Sequence, residues 1–190
     1  MSTRVQVIGA GLAGSEAAWQ CARRGIPVDL FEMRPAHSTP AHQSSDFAEL
    51  VCSNSLKSES ENTAPWLLKE EMRRAGSLLL AIARETAVPA GHALAVDRAE
   101  FSRRVTEAIS AEPLIRIHRE EFTHCAPGQI TIIATGPLTS DALSQEISRL
   151  CAGTPGETHL FFFDSISPIV EADSIDMSKV YLEARYDKGS

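Results

Sequence analysis

Three glycines close to the start of the chain, Gly9, Gly11 and Gly14, stand at Gly-x-Gly-x-x-Gly spacing inside "VIGAGLAGSEAAWQ". A carboxylate, Glu32, closes the next apolar stretch. The spacing alone recurs by chance; its chemistry depends on where the glycines fall. In a dinucleotide-binding turn the first glycine permits a tight bend. The second lets the backbone approach a pyrophosphate, and the third lets a helix pack closely on a strand. The unpaired N–H groups and dipole of the helix then favour phosphate charge. Gly9, Ala10, Gly11, Leu12, Ala13 and Gly14 are therefore candidate phosphate-binding positions, and Glu32 a candidate acceptor for both ribose hydroxyls.

The elements needed to hold these residues are legible. "RVQVI", Arg4 to Ile8, reads as a strand, and Leu12 to Arg24 as an Ala-rich helix stopped by Gly25. "IPVDLF", Ile26 to Phe31, reads as a second strand. Together they make a β-α-β unit whose strands run parallel. The stretch from Met33 to Pro65 is long, polar and without clear periodicity, a pattern that marks a functional or disordered connection. Helical pattern resumes from Pro65 to Ala87, with Gly76 as a break. His92 to Arg98 reads as a short strand. Asp97 then caps a helix, with Glu100 at the capping-box position. Strands are expected over Leu114 to His118 and Ile130 to Ala134, and a helix over Asp141 to Leu150 with Ser140 as its cap. Further strands are expected around Leu160 to Asp164 and in "KVYLEARYD". The fold class expected is α/β, a Rossmann-like parallel sheet with helices on both faces.

Glu32 disfavours a 2′-phosphate on the ribose, although Arg34 is a nearby cation that could answer one. A second clue is "IIATGP", an apolar strand ending in Ala134, Thr135 and Gly136. It resembles a second fingerprint of flavin oxidoreductases, where the chain passes close to the cofactor and requires a small residue. The two stretches together favour FAD over NAD.

Cys52, in "ELVCSNSLKS", lies in the long connection after the second strand, on the side of the sheet where ligands bind. A thiol there could act as nucleophile or acid if Lys57, a helix N-terminus or a bound cofactor lowered its pKa. Burial as an inert thiol is the competing reading. Cys21 reads as a packing residue, His37 and His42 as solvated, the Glu70–Arg74 run as a solvated helix face, and Trp66 with Phe161 to Phe163 as core.

The totals narrow the classes. The chain has 190 residues, 43% hydrophobic and 23% charged, which suits a globular protein. The net charge of -7 gives no support for a broadly basic nucleic-acid surface. No apolar run approaches the length that spans a bilayer, so no membrane association is expected. The four cysteines, at 21, 52, 125 and 151, show neither Cys-x-x-Cys spacing nor a Cys/His cluster. They read as reduced thiols of a cytosolic protein with no metal.

Beyond these readings, "FEMRP", "TPAHQSSDFAELVCSNSLKS", "LLKEEMRRAGSL", "VPAGHALAVDR", "IIATGPLTSDAL" and "FFFDSISPIVEADSID" join the glycine stretch in a family resemblance. The sequence resembles the folate- and FAD-dependent tRNA (uracil-5-)-methyltransferases, the TrmFO family, relatives of GidA/MnmG. The resemblance implies methylation of carbon 5 of a T-loop uridine in tRNA. It implies methylenetetrahydrofolate as one-carbon donor, FAD as cofactor and NAD(P)H as reductant, in the cytoplasm. It carries the phosphate-binding residues to Gly9 through Gly14, the ribose carboxylate to Glu32, and one of two functional thiols to Cys52, as nucleophile, base or flavin partner. Family chains run to more than twice this length, with the second thiol beyond "RYDKG". The expectation is thus an N-terminal portion: an FAD-binding domain over 1–136 and the start of an inserted domain over 137–190. Two alternatives stand beside it, a GidA-like flavoprotein modifying the wobble uridine and a non-catalytic FAD-binding fragment.

Overall fold

A computed structural model describes residues 4–151, 175–176 and 178–179. The strands expected near Leu160 to Asp164 and in 179–187, and Phe161 to Phe163, lie outside the described residues or almost wholly so. Four short strands form a parallel sheet: β1 (Val5–Ile8), β2 (Val28–Phe31), β6 (Ile115–His118) and β7 (Thr131–Ile133), in the order β6-β2-β1-β7. Val5 pairs with Val28 and Ile8 with Phe31, while Ile8 pairs with Ile133 on its other side. The chain therefore steps outward from β1 to β2 and β6, then returns to the opposite side of β1 as β7. That reversal opens a crevice at the carboxyl ends of β1 and β7, the place where open α/β sheets bind ligands.

Helices α1 (Leu12–Ala22) and α4 (Arg98–Ala111) lie against this sheet. Alternate strand residues Val5, Val7, Val28, Leu30 and Ile115 share one apolar cluster with Ala18 of α1 and Phe101, Val105 and Ile109 of α4. Period-two alternation sends Gln6, Asp29, Phe31 and Thr131 to the opposite face. There the Phe31 ring stacks on His118 at 4.5 Å between centroids, and Phe122, from the crossover between β6 and β7, meets Phe31 edge-on at 4.9 Å. The parallel α/β architecture matches the expectation from the sequence.

Helix ends follow local chemistry. Gly25, at φ +74, stops α1, with its N–H on the Ala22 carbonyl and that of Ile26 on Cys21. Gly76, also at φ +74, separates α2 (Ala64–Arg74) from α3 (Leu78–Glu85) in the same way. This is the left-handed closure that glycine adopts without a Cβ penalty. Ser77 caps α3 by accepting the Leu80 N–H at 3.2 Å, and Asp97 caps α4 by accepting that of Glu100 at 3.0 Å. The expected capping box is only half formed, because the Glu100 carboxylate turns to Arg103 and Arg104 instead of the cap.

One expectation needs correction. Of the two readings of the connection after β2, functional or disordered, the second does not hold. That connection contributes β3 (Ser55–Ser58), which joins β5 (Ala93–Val96) and β4 (Ala87–Val88) in a separate antiparallel sheet of order β3-β5-β4. "SLKS" carries one apolar residue, and β4 is two residues long, so neither offers a period to read. Lys69 ties α2 to this sheet. Its buried ammonium donates to the carbonyls of Leu56 at 2.9 Å and Ser58 at 2.7 Å. Trp66, expected in the core, is only half-buried. After β7, a 3-10 turn at Gly136–Leu138 leads to α5 (Asp141–Cys151). Glu146 of α5 accepts the Cys125 N–H at 3.0 Å, tying that helix to the crossover.

Candidate functional site

The carboxyl end of β1 turns at Gly9, whose φ of +90 is open to glycine and strained for other residues. A Cβ there would also stand 3.0 Å from the Ala134 carbonyl oxygen. Gly14, one turn into α1, backs onto the Gly9 carbonyl, and the Ala134 methyl lies 3.4 Å from where its Cβ would be. Thus the Ala134–Thr135 segment packs directly on the glycine turn, held by the Ala134 N–H on the Ile8 carbonyl at 2.8 Å. Gly11 differs from both. Nothing lies within 4 Å of a Cβ built there, and as N-cap of α1 it brings no side chain to the helix start. No acidic residue occupies the first turn either. Backbone N–H groups and the positive end of the helix dipole are left facing a hollow.

That hollow is lined by Gly9, Gly11, Glu32, Arg34, Ala134 and Thr135, with Phe31, Met33, His42, Phe122 and neighbours completing it. Of the residues singled out from the sequence, the glycine turn, Glu32, Arg34 and the Ala134–Thr135 segment come together here. Gly136 is exposed at φ +63 at the start of the following turn. Leu12 and Ala13 form the first turn of α1, and Ala10 is buried beneath the bend.

Glu32 is 5% exposed, and its carboxylate is held from two sides. One oxygen accepts the Ala10 N–H at 3.0 Å. The other accepts the backbone N–H of Arg34 at 3.0 Å and its guanidinium Nε at 2.9 Å. Burial works against the charge and is the largest single influence. The hydrogen bonds and charge of Arg34, with the Ala10 N–H, outweigh it together and keep the carboxyl below its usual range. Each carboxylate oxygen has about two acceptor positions, so the oxygen on Ala10 retains one for a ligand hydroxyl.

Arg34 itself is 2% exposed. Besides Glu32, it donates to the Ser44 carbonyl at 3.1 Å and to Glu49 at 3.0 Å. It borders the hollow, but its guanidinium is engaged inside the protein. His42, expected to be solvated, is half-buried on the same wall and shares a 2.6 Å hydrogen bond with Thr39. Burial, then the charge of Arg34, lowers its pKa. Its "RPAHSTPAHQ" surroundings are polar in composition, which hid its place beside β2. Glu49 was also missed from the sequence; an acidic residue in a polar loop gives no signal until its partner is known.

Cys52 is exposed and free, as is Cys151, while Cys21 and Cys125 are half-buried. Its carbonyl accepts from Arg98 at 3.3 Å. It follows the segment that crosses the glycine turn, where the Ala48 N–H bonds the Ala10 carbonyl at 2.8 Å. Cys52 does not line the hollow itself. Among the described residues no helix is long and apolar enough to cross a membrane.

The chain is 70% identical over 191 aligned residues to the methylenetetrahydrofolate–tRNA-(uracil-5-)-methyltransferase TrmFO of Koribacter versatilis (strain Ellin345), a match covering 100% of this chain and 42% of the relative. It is 56% identical over 189 residues to the protein of that name from Listeria innocua, again covering 42% of it. The chain thus spans less than half the length of these curated relatives. In three dimensions it is similar to Aquifex aeolicus GidA, with a TM-score of 0.63 at 15% identity over 78% of this chain and 30% of that one. That likeness establishes the shared fold. The family model for glucose inhibited division protein A matches residues 4–190, and the chain belongs to that family.

Proposed function

We propose that this chain supplies the FAD-binding part of a methylenetetrahydrofolate-dependent tRNA (uracil-5-)-methyltransferase. The observation that carries the reading is identity of 70% along the entire chain to a relative bearing that name. The site fits the cofactor in three respects. An uncapped helix start offers backbone N–H groups to a pyrophosphate, and open space before Gly11 lets the phosphates approach. A buried, ionised Glu32 keeps an acceptor position for ribose hydroxyls. A carboxylate there also repels a 2′-phosphate, which favours FAD over a phosphorylated nicotinamide nucleotide at this position.

In this reading Gly9 to Gly14 hold the pyrophosphate, Glu32 orients the adenosine ribose, and Ala134 and Thr135 form the opposite wall, with Gly136 turning the chain behind them. The bound flavin supplies reduction of the one-carbon unit, and NAD(P)H supplies the electrons. Cys52 presents a thiol to the uracil chemistry. Carbon 5 of uracil is a poor nucleophile; a thiolate added at carbon 6 makes it an enolate able to attack an electrophilic methylene. A thiol or other base must also take the proton from carbon 5. The partners are tRNA and folate, the compartment is the cytoplasm, and the FAD-binding domain extends over 1–136.

The test uses the longer protein. A strain lacking it is expected to lose 5-methyluridine from tRNA, regained with the wild-type gene and not with Cys52→Ala, while the purified Cys52→Ala protein keeps its flavin. Loss of a wobble-uridine modification with 5-methyluridine intact would overturn the reading in favour of GidA-type chemistry. A colourless purified protein would overturn the cofactor.

A further inference from the structure

Arg34, a cation two residues from the ribose carboxylate and a candidate nucleotide contact, has a different place in the structure. Its guanidinium lies between two carboxylates, Glu32 at 2.9 Å and Glu49 at 3.0 Å. Glu49 in turn gathers its own loop, accepting the backbone N–H groups of Gln43 at 2.8 Å and Ser44 at 3.1 Å. Next to Glu49 stands Ala48, fully buried at φ +52, whose N–H bonds the Ala10 carbonyl at 2.8 Å. The Ala10 N–H returns to Glu32. The contacts close a ring: Ala10, Glu32, Arg34, Glu49, Ala48 and back to Ala10. A non-glycine residue in the left-handed region persists where its surroundings over-determine it, and this ring does so. Arg119 braces it from outside, donating to the carbonyls of Arg34 at 3.1 Å and Ser45 at 2.7 Å while lying over the Phe47 ring.

We propose that Arg34 is a positioning residue that makes the ribose carboxylate Glu32 and the loop leading to Cys52 one mechanical unit, and not a reader of nucleotide phosphate. The proposal rests on the dinucleotide reading only for what Glu32 grips. Its chemistry is simple. One buried cation neutralises two carboxylates of different segments, so removing it leaves two facing anions and frees both segments at once. Lysine keeps the charge but cannot address both carboxylates with a planar fork. Ligand held by Glu32 tightens the ring, and the tightened ring restrains the chain three residues before Cys52.

The experiment measures two quantities on purified Arg34→Lys, Arg34→Ala and Glu49→Gln chains whose circular dichroism matches wild type. One is FAD affinity by flavin fluorescence. The other is the alkylation rate of Cys52 without and with FAD, read by peptide mass spectrometry to separate it from Cys151. Arg34→Ala is expected to weaken FAD by about tenfold or more, as for loss of a buried charged hydrogen bond. It should also speed Cys52 alkylation several-fold without FAD, and FAD, expected to slow alkylation of the wild-type thiol, should no longer do so. Arg34→Lys should recover part of both. Glu49→Gln, the mildest change, should alter Cys52 alkylation with a smaller effect on FAD. Unchanged Cys52 rates, within about twofold, in folded Glu49→Gln and Arg34→Lys would overturn the proposal. So would an Arg34→Ala effect confined to discrimination between NADP and NAD. If wild type binds no FAD but the variants still release Cys52, the cofactor reading fails and the ring stands.

Discussion

Gly14 backs onto the carbonyl of Gly9 so closely that a Cβ on Gly14 would stand 1.7 Å from the Gly9 oxygen. Helix α1 can approach the end of β1 only because that Cβ is missing. The same turn leaves Gly11 with open space around its Cβ position. Two glycines three residues apart in one motif therefore answer to different demands, one from packing and one from the hollow.

This separates two substitutions. Gly14→Ala meets rigid backbone and should destabilise the fold by about 3 kcal/mol or more, the upper range for overpacking a filled site. Gly11→Ala has allowed backbone angles and room for a methyl, so its melting temperature should stay close to wild type. The methyl projects toward the phosphate path, and FAD affinity should fall by about tenfold or more. Thermal unfolding with flavin titration reads both. A flavin site unaffected by Gly11→Ala would place the pyrophosphate elsewhere.

Glu32→Gln tests the carboxylate. The amide keeps the shape but loses the charge that Arg34 and the Ala10 N–H address, and Arg34 is left with Glu49 as its counter-ion. Breaking a buried pair in this way should cost about 3 kcal/mol. FAD affinity should fall as well, since neutral acceptors bind hydroxyls less strongly than charged ones. Urea unfolding and fluorescence quenching measure the two effects separately.

The β-α-β unit was legible because its signals are local. "VQVI", the Ala-rich helix and Gly25 each act within a few residues, and Glu32 sits at a spacing fixed by that unit. "IIATG" was legible as a strand end, although only the fold places Ala134 against Gly9 and Gly14. What stayed hidden depends on partners distant in sequence. Glu49 and His42 are ordinary loop residues until Arg34 is brought beside them. Lys69 reads as a surface lysine of a charged helix, and becomes a buried ligand of β3 only once that strand exists. β3 itself lacks alternation because its edge is secured by that side chain and by pairing to β5.

Lys69 invites the thought that a buried ammonium is better replaced by an apolar chain of like length, as often holds when both partners of an ion pair are removed. Here the hydrogen-bond partners are the carbonyls of Leu56 and Ser58, which no side-chain substitution removes, with the Glu59 carboxylate 3.4 Å away. Lys69→Met should therefore lower stability by about 1–3 kcal/mol, the cost of leaving buried acceptors unpaired. Glu59 would retain Arg73, so the surface pairing around it should survive. Equilibrium urea unfolding gives the magnitude, and faster hydrogen exchange at β3 amides would place the damage.

Acid should unfold the protein in two stages whose order follows from the direction of the shifts. His42 has its pKa lowered from 6.5 by burial and by the charge of Arg34. Below that value the unfolded chain takes up a proton that the folded one resists, so stability falls as pH drops through the unfolded pKa and levels off below the folded one. Glu32 and Glu49 also have lowered pKa values, from 4.5. Burial raises each, but hydrogen bonds outweigh it: from Arg34 and Ala10 at Glu32, and from the Gln43 and Ser44 N–H groups with the Ser44 hydroxyl at Glu49. Their contribution is complete above 4.5 and is lost as pH falls through their folded values, because the unfolded carboxyls protonate first. Urea unfolding across this range should show a shallow decline beginning near 6.5 and a steeper one below 4.5. His42→Gln should remove the upper stage and take a little from the lower, because a charged His42 helps hold the Glu49 carboxyl low. Glu49→Gln should reduce the lower stage and deepen the upper, because it removes a carboxylate that opposes the lowering of the His42 pKa. A single decline below 4.5 in wild type would show that His42 is free to protonate in the folded protein, and that the wall beside Glu32 is wetter than its burial indicates.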